Sequence, residues 1–79
     1  MIFEYFPETN SLIIKLLEQS GTDSIEIADG VIADIDDNGL ITSIEFYSVN
    51  KKIDLSGIIF DKLPVSNVSF INSAAAAAV

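Results

Sequence analysis

The chain has 79 residues, twelve acidic and four basic, with a net charge of −8 and neither cysteine nor histidine. That excludes disulfides, thiolate or imidazole metal sites and the commonest general base, and it sets the surface against nucleic acid and anionic membranes. All four basic residues are lysine (Lys15, Lys51, Lys52 and Lys62), so no guanidinium is present to clamp a phosphate or carboxylate in bidentate fashion.

One domain is expected over residues 1–73. A chain of this length buries only about 60% of the surface its unfolded form exposes, and self-association or a partner is the expected supplement to its core. IFEYF (Ile2 to Phe6) is aromatic and alternates, with Phe3 and Tyr5 on one face. PETN is turn chemistry, since proline fixes φ and asparagine tolerates the left-handed region. SLIIKLLE fits two structures. As a strand it divides Leu12, Ile14 and Leu16 from Ile13, Lys15 and Leu17. As a helix it gathers Leu12, Ile13, Leu16 and Leu17 and stops at Gly21.

SIEIADGVIADID alternates with period two apart from a break at Asp29-Gly30, where Gly30 marks a bulge or tight bend. DDNG is a turn, and LITSIEFYSV is a further strand. Beyond Lys51, LSGIIFDKLP predicts one or two helical turns before Pro64, and VSFI a short strand. Residues 74–79, an alanine-rich run, are set aside as an appended or unassigned segment. The layout is that of a mainly β protein, with α+β as its variant: a four-stranded antiparallel β-meander followed by a short C-terminal helix or strand. MIFEYFPETN lacks the basic start and apolar core of a signal peptide, and no apolar run reaches membrane-spanning length, so a cytoplasmic location away from membranes is expected.

DIDDNGLITSIE matches an EF-hand loop literally, with Asp34, Asp36, Asn38, Gly39 and Glu45 at the ligand and glycine positions. That loop needs helices on both sides, whereas GVIADI and LITSIEFY are β-branched and alternate. The stretch reads instead as a three-residue hairpin loop, with Gly39 left-handed and Asp36 bonded to the turn amides. Glu45 then lies about 20 Å along an extended strand from the turn. Asp34, Asp36 and Asp37 remain weak candidates for calcium, and no cofactor is expected.

The blocks EYFPETNSLIIKL and DGVIADIDDNGLITSIEFYSVNKK together resemble the domain of unknown function 2283 family, a group of small bacterial and archaeal proteins. The resemblance runs from about Glu4 to Lys52. It rests on Gly30-Val31-Ile32, Asp34, Asp36, Gly39 and Ile44-Glu45. Phe6, Ser43 and Tyr47 depart from the family's usual aspartate, glycine and leucine. The resemblance implies a β-meander with SLIIKLLE as a strand, and it supplies no activity. Some members look like partners of ribonuclease-like toxins, which implies an antitoxin role for those members.

No nucleophile and base can be paired in this sequence, so catalysis is not expected. Glu45 is the acid most exposed to burial, between Ile44 and Phe46, and is expected to pair with a lysine across the strands. The expected function is a non-catalytic interaction or oligomerisation module. Its apolar remainder, with Ile13, Leu17, Ile41 and Tyr47 as interface candidates, calls for a second layer: the C-terminal segment, a second copy or another protein. The alternative is an antitoxin-like partner of a small basic ribonuclease, bound in a salt-sensitive way. Weak calcium binding at the 34–39 hairpin stands third.

Overall fold

The computed structural model describes residues 1–71. Alternation becomes strand at five places: β1 (Ile2–Phe6), β2 (Ser11–Lys15), β3 (Asp23–Ala28), β4 (Val31–Ile35) and β5 (Ile41–Phe46). They form one open antiparallel sheet in the order β1-β2-β5-β4-β3, followed by a single 3₁₀ turn at Val49–Lys51. The alanine-rich run 74–79 lies outside the described residues.

The expected four strands become five because Asp29-Gly30 reverses the chain instead of bending it. Gly30 has φ +70°, a left-handed conformation in which a Cβ is strained, and Ala28 comes to lie opposite Val31. Neither a C-terminal helix nor a strand forms among the described residues. From Ile53 to Ile71 the chain has no regular element, and Ile59, Phe70 and Ile71 are 86–90% exposed. VSFI pairs with no strand there, and a lone strand gains no backbone partners.

The sheet is also no simple meander. Hairpin β1–β2 and the three-stranded unit β3–β4–β5 meet where β2 pairs with β5, Leu12 opposite Phe46 and Lys15 opposite Ser43. Residues 16–22 must therefore pass β5 and β4 to reach the far edge, a distance of about 14 Å at normal strand spacing. This passage ends β2 at Lys15, short of the expected Glu18. The amides of Leu16 and Leu17 both donate to the Thr42 carbonyl (2.8 and 3.2 Å), and Thr22 N–H donates to the Ile35 carbonyl at 2.8 Å.

Thr42 is available because it is the extra residue of a bulge: Asp34 lies opposite Ser43, but Ile35 lies opposite Ile41. Its hydroxyl donates to the Asp34 carbonyl at 3.2 Å, and its side chain is buried. Gly21 crosses at this point. A Cβ there would stand 2.9 Å from the Asp34 Cβ, 3.0 Å from the Thr42 hydroxyl oxygen and 3.1 Å from the Ile35 amide nitrogen.

A second tie holds the opposite end. Asn10 is left-handed (φ 50°), accepts a hydrogen bond from the Tyr5 hydroxyl (2.9 Å), and donates from its amide to the Asn50 side-chain oxygen (2.7 Å). Its carbonyl accepts from Val49 N–H at 3.0 Å, and Val49 is fully buried. The hairpin loop is thus fixed to the turn that follows β5.

Register sorts the side chains into two faces. Phe3, Tyr5, Leu12, Ile14, Ile44, Phe46, Val31, Ala33 and Ile25 share the first, which is apolar. The second carries Glu4, Ile13, Lys15, Ser43, Glu45, Ile32, Asp34, Ser24 and Glu26. Among the described residues only Leu12, Ala33 and Val49 are buried apolar side chains.

Gly21→Ala is expected to lower stability by about 1–3 kcal/mol, the usual cost of forcing an atom into a close-packed site. Gly57→Ala, whose added Cβ meets nothing within 4 Å, is expected to change stability by less than about 0.5 kcal/mol. Urea denaturation of both variants measures the difference.

Candidate functional site

The polar cluster on the second face is built by strand register. Ser24, Asp34 and Ser43 lie in one row across β3, β4 and β5, because both serines lie opposite Asp34. Both serine hydroxyls donate to Asp34, Ser24 to Oδ1 and Ser43 to Oδ2, each at 2.6 Å. The next row is Glu26, Ile32, Glu45, Ile13 and Glu4. Glu45 therefore stands between two isoleucines and diagonal to Asp34.

The two acids respond oppositely to this arrangement. Burial pushes the Asp34 carboxyl up, but hydrogen bonds from Ser24, Ser43 and Glu45 outweigh it and leave the group below its ordinary value. Glu45 is raised, first by burial and then by the hydrogen bond and charge of Asp34, with the Tyr47 hydroxyl (3.3 Å) acting against the rise. Tyr47 is raised in turn by the negative charge of Glu45. Of the two acids, Glu45 is accordingly the one that takes up a proton first as pH falls.

The lysine expected beside Glu45 is engaged elsewhere. Lys15 pairs with Glu4 at 2.9 Å across β1 and β2, where both side chains are well exposed. Next to Lys15, the crossing segment leaves a groove of about 310 Å³ lined by Lys15, Leu17, Gln19, Gly21, Asp34 and Ser43.

The hairpin loop has its own chemistry. Asp36 N–H donates to the Leu40 carbonyl (2.9 Å), and Gly39 N–H donates to the Asp36 carbonyl (3.0 Å). The Asp36 carboxylate accepts from the amides of Asn38 (2.9 Å) and Leu40 (3.0 Å). The Leu40 amide is the main reason its acid lies below the ordinary value. Gly39 has φ +80°. Asp37 accepts from the Thr22 hydroxyl at 2.9 Å, on the crossing segment.

Asp34, Asp36 and Asp37 thus serve three separate sets of donors, and no group of three acids among the described residues is placed to hold a metal ion. Glu45 lies within β5, paired with Ile32 and Ile13, and does not close on the loop.

The interface candidates divide as well. Ile13 shares the second face with Glu45, and Tyr47 hydrogen-bonds Glu45 from just beyond β5. Leu17 has left the sheet with the crossing segment, and Ile41 is separated from Ser43 by the bulge at Thr42 and faces Ile35. Sequence reading missed Ser24 and Ser43 as the partners of Asp34, although strand alternation put all three on solvent-side positions. It also missed Asn10 as a tie to Asn50, which no local pattern signals.

A family profile described as "Protein of unknown function (DUF2283)" matches residues 2–50, well over half of the chain. The chain belongs to this family. The matched segment contains all five strands and ends inside the 3₁₀ turn, so the family unit is the sheet together with its closing tie through Asn10 and Val49. No curated protein and no solved structure matches the chain. No helix among the described residues is long and apolar enough to cross a membrane.

The acid pair makes a definite pH dependence. Asp34, lowered, contributes stability that is present above its unfolded value of 3.8 and is lost as pH falls through the lower folded value. Glu45, raised, contributes stability that is complete below its unfolded value of 4.5 and is lost as pH rises through the higher folded value. Glu45→Gln is therefore expected to stabilise the protein at pH 7 by roughly 0.2–1 kcal/mol, the size of one cross-strand pair. The gain should vanish as pH falls towards 4.5. Ser43→Ala should cost about 1–3 kcal/mol at pH 7 by removing a hydrogen bond to a charged group. Urea titrations between pH 4 and pH 7 measure both.

Proposed function

We propose that this protein is a non-catalytic interaction module that self-associates through the apolar face of its sheet. The supporting observation is the exposure of that face at its outer strands: Phe3 and Tyr5 on β1 and Ile25 on β3 are each 48% exposed, while Leu12 and Ala33 at its centre are buried. An antiparallel sheet commonly leaves one face to water, but that face is then polar. Here the polar face is the other one.

The occupant we assign is a second copy. At net charge −8 two copies repel one another over most of their surfaces. The acids are segregated to the second face, the loops and the tail. Within the strands of the first face only Asp23, opposite Ile35 at the outer edge, carries charge. This face is the patch on which two such molecules meet without opposing charges, and sheet-on-sheet packing about 10 Å apart suits it.

The chemistry on the second face supports the non-catalytic reading. Asp34 is held as a doubly hydrogen-bonded carboxylate below its ordinary value, which makes it a poor base. Neither histidine nor cysteine exists to pair with it. A second reading, an antitoxin-like partner for a small basic protein, is favoured by the acidic second face, with Glu4, Glu26, Asp34 and Glu45 against a single lysine. The two readings differ in salt response, because screening weakens charge pairing and leaves apolar contact in place.

Sedimentation equilibrium of the full chain is expected to show reversible self-association that persists in high salt. Ile25→Lys, at an exposed position of the apolar face, is expected to weaken it about tenfold or more, a change of ~1.4 kcal/mol, with an unchanged circular dichroism spectrum. A chain that remains monomeric up to about 1 mM overturns the proposal.

A further inference from the structure

The two outer strands of the sheet are not equivalent, and the difference points to a second contact between copies. An open edge presents unpaired amides and carbonyls, and soluble proteins blunt such edges with charge, bulges or proline. β3 is blunted twice. It carries Asp23 and Glu26, and its pairing with β4 is broken by a bulge between Glu26 and Ala28. β1 has no bulge and a single charge. Its five residues pair with β2 in unbroken register from Ile2 opposite Lys15 to Phe6 opposite Ser11, and proline comes only after its end, at Pro7.

The single charge on β1 is already answered. Glu4 is bound to Lys15 of the neighbouring strand at 2.9 Å. The remaining residues are apolar or aromatic and open to solvent: Ile2 53%, Phe3 48%, Tyr5 48% and Phe6 38%. An apolar, unbulged edge is the form that recruits another strand.

We propose that β1 pairs antiparallel with β1 of a second copy, about a twofold axis through Glu4, joining two sheets edge to edge. The strand is self-complementary in this register. Ile2 comes opposite Phe6 of the second copy, and Phe3 opposite Tyr5, so each cross-strand pair is aromatic against aromatic or aromatic against aliphatic. Glu4 meets its own counterpart on the axis, with the two lysines at position 15 flanking the two carboxylates and offsetting their repulsion. The axis is perpendicular to the sheet. The two apolar faces therefore stay on one side and merge into a single face twice as wide. This contact is distinct from the face-to-face packing proposed above and uses different atoms, chiefly the backbone of β1.

The absence of native cysteine makes the test clean. Opposed residues on antiparallel strands have Cα atoms about 4.5–5.5 Å apart, within disulfide range. Glu4→Cys and, as the control on the other edge, Glu26→Cys are each oxidised at equal concentration, in the otherwise native chain and in the Ile25→Lys background. The expected result is a covalent dimer from Glu4→Cys that forms about tenfold or more faster than from Glu26→Cys, because paired cysteines meet at high effective concentration. It should form in both backgrounds, since Ile25 lies on β3.

Because Glu4→Cys removes the ion pair, the double variant Ile2→Lys, Phe6→Lys serves as a second measurement with Glu4 intact. It is expected to lower the sedimentation-average mass while retaining the β-sheet circular dichroism spectrum. Equal linking rates for the two cysteine positions, or a double variant that associates like the native chain, overturn the edge pairing. If association persists in that case and is lost in Ile25→Lys, the apolar-face reading stands without it. Rapid Glu4→Cys linking with no effect of Ile25→Lys sustains the edge pairing and overturns the face.

Discussion

Everything in this molecule hangs on the pairing of β2 with β5, a contact between strands far apart in the chain. Without it there would be a two-stranded hairpin and a separate three-stranded unit, and isolated hairpins are marginal in water. The pairing is fastened at both ends. At one end the Thr42 carbonyl takes the amides of Leu16 and Leu17; at the other, Asn10 binds Val49 and Asn50. Between these ties Leu12 and Ala33, at the centre of the sheet, are the strand residues whose apolar side chains are buried. The bulge at Thr42 turns one residue out of the ladder, which frees its carbonyl for the crossing segment, and Gly21 lets that segment lie against the sheet.

The same register fixes the electrostatics. Two acids from adjacent strands fall on one diagonal, and the two serines opposite Asp34 make it the acid that keeps its charge to lower pH. Burial alone would raise both. The hydroxyls act on one, so the pair separates into a stabilised carboxylate and a strained one. This arrangement resembles the way active sites divide acids. Here, however, the stronger feature of the molecule is the apolar face on the reverse side, which is buried at its centre, at Leu12 and Ala33, and open at its outer strands, where Phe3, Tyr5 and Ile25 are each 48% exposed.

Much of this architecture was legible in the residues. The apolar alternation gave the strand positions, and the spacing of Asp36, Asn38 and Gly39 gave a hairpin loop in place of a calcium loop, because β-branched flanks do not make helices. Phe3 and Tyr5 were placed on one face correctly. The reading fell short where local pattern is neutral. Asp29-Gly30 is compatible with either a bend or a reversal, and only the pairing of Ala28 with Val31 makes it a reversal. SLIIKLLE has a strand's pattern throughout, yet it stops at Lys15 because the chain has to cross to the opposite edge. Leu17 and Ile41 were assigned to a common face by counting in twos, which fails once a bulge or a crossing intervenes.

The sequence by itself determined the secondary-structure class, the hairpin loop at Asp36 to Gly39, and a surface chemistry without thiol, imidazole or guanidinium. These depend on properties of single residues and their near neighbours: β-branching, φ preference and side-chain charge. Tertiary structure alone decided the strand order, the meeting of Ser24, Asp34 and Ser43, the diversion of Lys15 to Glu4, and the inequality of the two sheet edges. Each of these arises from residues nine or more positions apart brought together by strand register. A one-residue change of register, such as the bulge at Thr42, exchanges the faces on which side chains lie without altering local sequence preference.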